Sequence, residues 1–163
     1  MQKLNFPEYT FRFRMYKSRQ QIFDVVRKKY IALTPEEWVR QNFVTWLINE
    51  RNYPSGLIAI EKELLVNGLK KRYDIVIYNS NHIPAMLVEC KAPSVAVSQK
   101  VFDQAARYNM TLKVGYLIVT NGLIHYCCYI DIENGKYSFL ENIPFFDNLF
   151  LSGKKIFYNL QKK

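Results

Sequence analysis

Two histidines and three cysteines are the only imidazole and thiol groups that the 163 residues offer as metal ligands. Cys127 and Cys128 are adjacent, so on a strand they point to opposite faces, and neither they nor Cys90 form a C-x-x-C or Cys/His spacing that suggests zinc. Such sparse thiol usage suits a reducing, cytoplasmic compartment better than a disulfide scaffold. His82 and His125 have no partner at ligand spacing and read as structural. No run of 18 apolar residues exists, so no membrane span is expected, and residues 1–7 lack the apolar core of a signal peptide. Repeats, low-complexity tracts and long linkers are missing too. A single domain over 1–163 is therefore expected, with an N-terminal arm and helix over 1–33, a core over 34–132 and a C-terminal extension over 133–163.

Acidic residues are also in short supply. Fourteen Asp and Glu stand against 23 Lys and Arg, a formal charge of +9. That balance favours an anionic partner such as nucleic acid, although the basic residues are spread along the chain as they are on a solvated surface. Aromatics are plentiful at 15%, and most belong in the core, where they dominate buried area.

The hydrophobic pattern then gives an order of elements. Residues 9–16 alternate apolar and polar, which predicts a short strand or extended arm. Ile22, Phe23, Val25, Val26 and Tyr30 among polar residues predict a short amphipathic helix over 19–30. Thr34-Pro35-Glu36-Glu37 opens a second helix, with Thr34 as cap, Pro35 in the first turn and Glu37 closing a capping box. Asn52-Tyr53-Pro54-Ser55-Gly56 ends it. Strands are predicted at 57–66, 73–78 and 85–91, the first closed by the turn dipeptide Asn67-Gly68 and the last two joined by the loop Asn79-Ser80-Asn81-His82. A helix over 97–112 follows, then strands at 115–120 and 123–132, a strand at 136–140 and a helix after Pro144. The sum is an α+β or mixed α/β fold.

One constellation carries chemistry. A hairpin turning near Asn81-His82 sets Asp74 opposite Glu89, with Cβ atoms about 4.5–5.5 Å apart. Facing carboxylates repel, and a divalent cation between them removes that cost. Mg²⁺ prefers oxygen ligands and binds through one or two carboxylates plus water and substrate phosphates. Lys91, two residues on, shares the face of Glu89, while Cys90 points into the core and offers its backbone carbonyl as a third ligand. Two acids for a metal and one cation beside them suit phosphodiester hydrolysis. Glu-x-Lys on an exposed strand is also a common solvated pattern.

Residues 34–126 resemble the N-terminal domain of the type I restriction enzyme R subunit, a PD-(D/E)XK nuclease. The matching pieces are Thr34-Pro35-Glu36-Glu37-Trp38-Val39-Arg40-Gln41, Arg72-Tyr73-Asp74-Ile75-Val76-Ile77, Leu87-Val88-Glu89-Cys90-Lys91-Ala92-Pro93, Phe102-Asp103-Gln104-Ala105-Ala106-Arg107-Tyr108 and Thr120-Asn121-Gly122. The resemblance implies a restriction-endonuclease-like core, a central mixed sheet flanked by helices, and a Mg²⁺-dependent (or Mn²⁺-dependent) DNA endonuclease. In that frame Asp74 and Glu89 bind metal, Lys91 is the catalytic lysine, and Gln104 and Tyr108 form the QxxxY motif. Glu37 matches the acid on the first helix; its capping role is the competing explanation, and Glu36 can take its place. Lys71, Arg72, Lys100 and Arg107 are expected to contact phosphates. Expected partners are DNA, a second copy of the chain, since cutting two strands takes two sites, or restriction-modification subunits. Two departures stand out: Tyr73 occupies the place of the motif's proline, and no G-x-x-x-x-G-K-[ST] loop of a motor is found. Alternatives are a non-catalytic DNA-binding or scaffold domain that keeps the fold, or a nuclease acting on RNA or single strands.

Overall fold

The computed structural model describes residues 1–66, 68–98, 102 and 113–150, with backbone alone at residues 64, 66, 69, 71 and 150. The fold is mixed α/β. It begins with a three-stranded antiparallel sheet of β1 (Phe13–Tyr16), β2 (Arg19–Asp24) and β3 (Lys29–Ala32). Helix α1 (Pro35–Arg51) follows. A six-stranded sheet completes it in the order β4 (Ile58–Val66), β5 (Leu69–Tyr78), β6 (Pro84–Cys90), β7 (Tyr116–Thr120), β8 (His125–Asp131) and β9 (Lys136–Leu140).

The helix expected over 19–30 is a β-hairpin. Ile22 and Asp24 turn inward while Phe23 between them stays half-buried, the alternation of a strand. The Asp24 carboxylate then accepts the backbone N–H groups of Val26 and Arg27, a local turn that competes with helix. Lys28 takes a positive φ of 51° and reverses the chain into β3. The 9–16 stretch is a strand only from Phe13, and the segment after Pro144 is a 3-10 turn at Phe146–Phe150.

Helix α1 starts at the expected cap, but the capping box is not closed: the Glu37 carboxylate turns to Arg27, Arg40 and Gln41. The Thr34 hydroxyl accepts the Glu37 backbone N–H at 3.0 Å, and Pro35 occupies the first turn. Asn52 ends the helix in the left-handed region, its N–H returning to the Leu47 carbonyl. Val39, Phe43, Val44 and Leu47 are fully buried. They pack with Ile75, Ile77, Met86, Val88, Cys90 and Ile118 of the large sheet, each large side chain contributing about 1.5–3 kcal/mol. The opposite sheet face holds a second cluster of Val76, Leu87, Leu117, Val119 and Cys128.

Of the ladders in the large sheet, β6–β7 is parallel and the others are antiparallel. A parallel pair needs a crossover of a dozen or more residues. The chain between Cys90 and Tyr116 provides it, and most of the helix expected over 97–112 lies outside the described residues. Phe102 there is buried, with its ring 4.9 Å from that of Phe139. All of β7 is buried, which accounts for its continuous apolar run.

Candidate functional site

The β5–β6 register pairs Ile75 with Val88, Val76 with Leu87 and Ile77 with Met86. Continued by one step, it sets Asp74 across from Glu89. Both acids sit just past the last β5–β6 pair, Ile75–Val88, beside the first turn of α1, while β5 itself runs on along β4 to Leu69. On the other side of Asp74, the β4–β5 ladder pairs Ile60 with Ile75 and Lys62 with Tyr73, while Glu61 and Asp74 between them are unpaired. Glu61 has a positive φ of 51°, an uncommon strand conformation for a residue with a side chain. The break lets Asp74 turn its oxygens to other partners: Oδ1 accepts from Arg40 at 2.8 Å and Oδ2 from the Cys90 backbone N–H at 2.8 Å.

Lys91 follows β6 directly. Its backbone N–H donates to the Thr120 carbonyl at 2.8 Å, and its ammonium lies 2.7 Å from Glu89 Oε1. The neighbouring turn braces this end of the sheet. Asn121 accepts the N–H groups of Leu123 and Ile124 and donates to the Val95 carbonyl. Gly122 has φ +81°, and a Cβ there would come within 2.9 Å of Leu4. Cys90 is fully buried in the core, which leaves its backbone rather than its thiol at the site.

The first turn of α1 contributes two glutamates with different destinations. Glu37 is buried and accepts from Arg27, Arg40 and Gln41. Arg27 also pairs with Asp24 and Glu61. Glu37 is thus the hub of an ion network and stands apart from Glu89. Glu36, half-exposed, is bridged to Arg40 at 3.2 Å. Its carboxyl is pushed above the ordinary glutamate pKa by burial and by the Asp74 charge. Glu89 is raised for the same two reasons, with Glu36 adding to the repulsion. Lys91 is held above the ordinary lysine value by Glu89, Asp74 and Glu36, against a desolvation that works the other way. Asp74, Glu89 and Glu36 therefore form a cluster of interacting carboxylates, with Lys91 and one arm of Arg40 as its cations.

Among the described residues, no three His, Cys, Asp or Glu side chains converge into a ready-made metal cage. Mg²⁺ does not require one, because it keeps waters and often takes only one or two carboxylates. The donors at hand are hard oxygens, and the carboxyl pKa values are raised by burial first and by neighbouring carboxylates second, both of which a cation offsets. The residues present fit such an ion.

Arg72 is exposed on β5, two residues from Asp74. Lys71 belongs to β5, and its side chain lies outside the described residues, as do Lys100, Gln104, Arg107 and Tyr108. His82 is exposed in the β5–β6 loop. His125 is stacked on Trp46 and lies 2.7 Å from the Thr120 hydroxyl, with its pKa lowered by burial, in keeping with a structural role. Sequence reasoning named Glu36 as a substitute but assigned nothing to Arg40, Arg27 or Glu61. The spacings Glu36/Arg40 and Glu37/Gln41 are i, i+4 pairs and were readable; the contacts to Asp74 and Glu61 have no local signal.

A family model described as type I restriction enzyme R protein N terminus matches residues 35–144. Among solved structures, a fragment described as that of an HsdR subunit of a type I restriction enzyme from Vibrio vulnificus YJ016 superposes with a TM-score of 0.55 at 23% identity. The alignment covers 82% of this chain and 27% of that one, so this chain spans about a quarter of the solved relative. No curated protein matches. No helix of the described residues is long and apolar enough to cross a membrane.

Proposed function

Since the chain belongs to the family of type I restriction enzyme R protein N-terminal regions, we propose that it is a cytoplasmic, divalent-metal-dependent DNA endonuclease domain of the PD-(D/E)XK kind. The observation that carries this reading is the meeting of Asp74 of β5 with Glu89 and Lys91 at the end of β6, with Glu36 near enough to feel the Asp74 charge. Asp74, Glu89 and the Cys90 carbonyl are the groups that would hold Mg²⁺ or Mn²⁺. Bound there, such an ion supplies charge compensation at the phosphodiester oxygens and acidifies water. Lys91, oriented by Glu89, directs its remaining N–H groups to the attacking water or to the charge that develops on phosphorus-bound oxygen. Arg72 and the Lys71, Lys100 and Arg107 side chains are assigned to phosphate contacts, Gln104 and Tyr108 to positioning. Glu36 replaces Glu37 as the helix acid of the site, because Glu37 is committed to Arg27 and Arg40. Cutting both strands calls for two such sites, from a second copy or from partner subunits of a restriction-modification complex.

The test is nicking of supercoiled plasmid in Mg²⁺ or Mn²⁺. Asp74→Ala is expected to lose about three orders of magnitude in single-turnover rate, as a metal-held charge worth several kcal/mol is removed. Lys91→Ala should lose about two orders. Equal cleavage by wild type and both variants sinks the assignment.

The ion pair between Arg40 and Asp74 favours one alternative, a non-catalytic DNA-binding domain in which arginine permanently takes the cation's place. Titration calorimetry decides between them. Divalent-ion binding that disappears in Asp74→Ala supports the nuclease, and no binding to the wild type supports the scaffold.

A further inference from the structure

The three-stranded sheet lies before the family match, which begins at residue 35. It has two unlike faces. Phe13 pairs with Ile22 and Ile22 with Ile31, and this side turns to the body of the protein: Ile22 is fully buried and the Phe13 ring approaches Trp38 of α1. The other side carries Arg14, Tyr16, Arg19, Phe23 and Tyr30, as the pairs Tyr16–Arg19, Arg14–Gln21 and Phe23–Tyr30 require. Arg12 joins it, because its carbonyl accepts the Phe23 N–H. All three arginines are exposed.

We propose that this outer face is a docking surface for the phosphate backbone of duplex DNA; the assignment rests on the DNA reading given above. Charge is the first argument. Residues 1–33 hold eight Lys and Arg against two Asp and Glu, or +6 of the chain's +9. Neither acid weakens the face: Asp24 points to the buried side, tied to Arg27, and Glu8 lies near Lys3 outside the sheet. Geometry is the second. The Arg12 guanidinium lies 3.6 Å over the Phe23 ring, and Arg14 lies 4.2 Å over Tyr30 while its Nε donates to Gln21 at 2.7 Å. Stacking fixes the planar forks before a ligand arrives, so little further freedom is lost when their free N–H groups meet phosphate. Stacking also selects the ligand. Guanidinium planes cover the rings on which unpaired bases would stack, and what faces outward is cationic. Duplex DNA, with one charge per about 1.7 Å of axis, is the denser match. Position is the third argument. Beyond β3 the chain enters α1, whose first turn bears Glu36, and Asp24, Arg27, Glu37, Arg40 and Asp74 form an unbroken series of ion pairs from this sheet to the carboxylate cluster.

Fluorescence anisotropy of the full chain with a labelled 30-base-pair (about three helical turns) duplex in EDTA, across a salt series, tests this without any cleavage. The triple variant Arg12→Gln/Arg14→Gln/Arg19→Gln should lose at least about tenfold in affinity, and the magnitude of its log K against log salt slope should fall by about 2.7, or 0.9 per lost phosphate contact. Arg→Lys at the same three positions keeps the charge and should keep most of the slope, which separates contact loss from misfolding. Lys113→Gln/Lys136→Gln, on exposed residues away from this sheet, should barely change it. Unchanged affinity and slope in the Gln triple, or a loss seen only with the single strand of the same sequence, overturns the proposal. If nicking fails while the arginine effect persists, the nuclease reading falls and the docking face stands; metal-dependent nicking without the arginine effect means the reverse.

Discussion

Glu36 and Glu37 leave consecutive positions of α1 and enter ion clusters that differ in burial and in the cations that answer them. Around Glu37, Arg27 and Arg40 answer the carboxylates of Asp24, Glu37 and Glu61, and Gln41 adds an uncharged donor. The centre of that cluster is buried, with Glu37 only 6% and Arg40 4% exposed, while Glu61 closes it at the surface. Burial holds such charges only while each has a partner. Around Glu36 the cations are Lys91 and one arm of Arg40, solvent reaches the group, and burial and mutual repulsion make the carboxyls of Glu36 and Glu89 resist ionisation. The first cluster fastens the N-terminal sheet to α1 and β4. The second keeps negative charge in reserve for an external cation. Within one helical turn, the count of guanidinium groups separates an acid that holds structure from one free to act.

The largest effect expected from this contrast is on stability. Glu37→Ala leaves buried Arg40 and half-buried Arg27 short of a partner and should cost about 3–5 kcal/mol, read as a lower urea midpoint. Glu36→Ala loses a partly exposed pair and should cost under about 1 kcal/mol, while lowering divalent-ion affinity by calorimetry. Equal costs for the two would erase the distinction between the clusters.

Arg40 belongs to both clusters, and its pKa is raised by Glu37 and Asp74 against the desolvation that opposes its charge. Arg40→Lys keeps the charge but cannot span Glu36, Glu37 and Asp74 together. A loss of about 1.5–3 kcal/mol is expected, the worth of a charged hydrogen bond. Asp74 is released at the same time, so Mg²⁺ affinity should rise. Weaker Mg²⁺ binding would mean that Arg40 orients Asp74 for the ion instead of competing with it.

How far the sequence foretold this arrangement depends on whether the deciding contact is local. Thr34-Pro35 set the start of α1, because capping needs only the next three residues. The opposition of Asp74 and Glu89 followed from a turn centred between Asn81 and His82, and the observed pairs keep that centre up to a shift at Tyr78. The failures are of another kind. Ile22, Phe23, Val25 and Val26 have a spacing compatible with helix, and only the Asp24 turn and the cover of Trp38 and α1 make residues 19–32 a hairpin. Nothing in the neighbourhood of Glu37 or Arg40 announces Arg27, Glu61 or Asp74 as partners, because those come from the β2–β3 turn, β4 and β5. The same holds for the stacked arginines of the N-terminal sheet: their charge was visible, but their common face required the β1–β2–β3 register.

The smallest effect is the most specific to the second cluster. Glu89 has its pKa raised, first by burial and then by Asp74. Between the ordinary glutamate pKa and that raised value, the folded chain binds the proton more tightly than the unfolded one, so folding stability falls as pH rises through this window. Glu89→Gln stays neutral throughout. Its Tm should match wild type below the ordinary glutamate range and exceed it once pH passes the raised value. The gap should be a few degrees at most, since about 1 kcal/mol moves Tm by roughly 2–4 °C in a chain of this size. Saturating Mg²⁺ should close or reverse it, because the ion stabilises the ionised carboxylate and has less to hold in the amide. The Glu37 network offers no such reserve, so Mg²⁺ should leave the stability cost of Glu37→Ala unchanged. A pH-dependent gap at Glu89 that ignores Mg²⁺ would leave the carboxylate pair as a strained part of the sheet and nothing more.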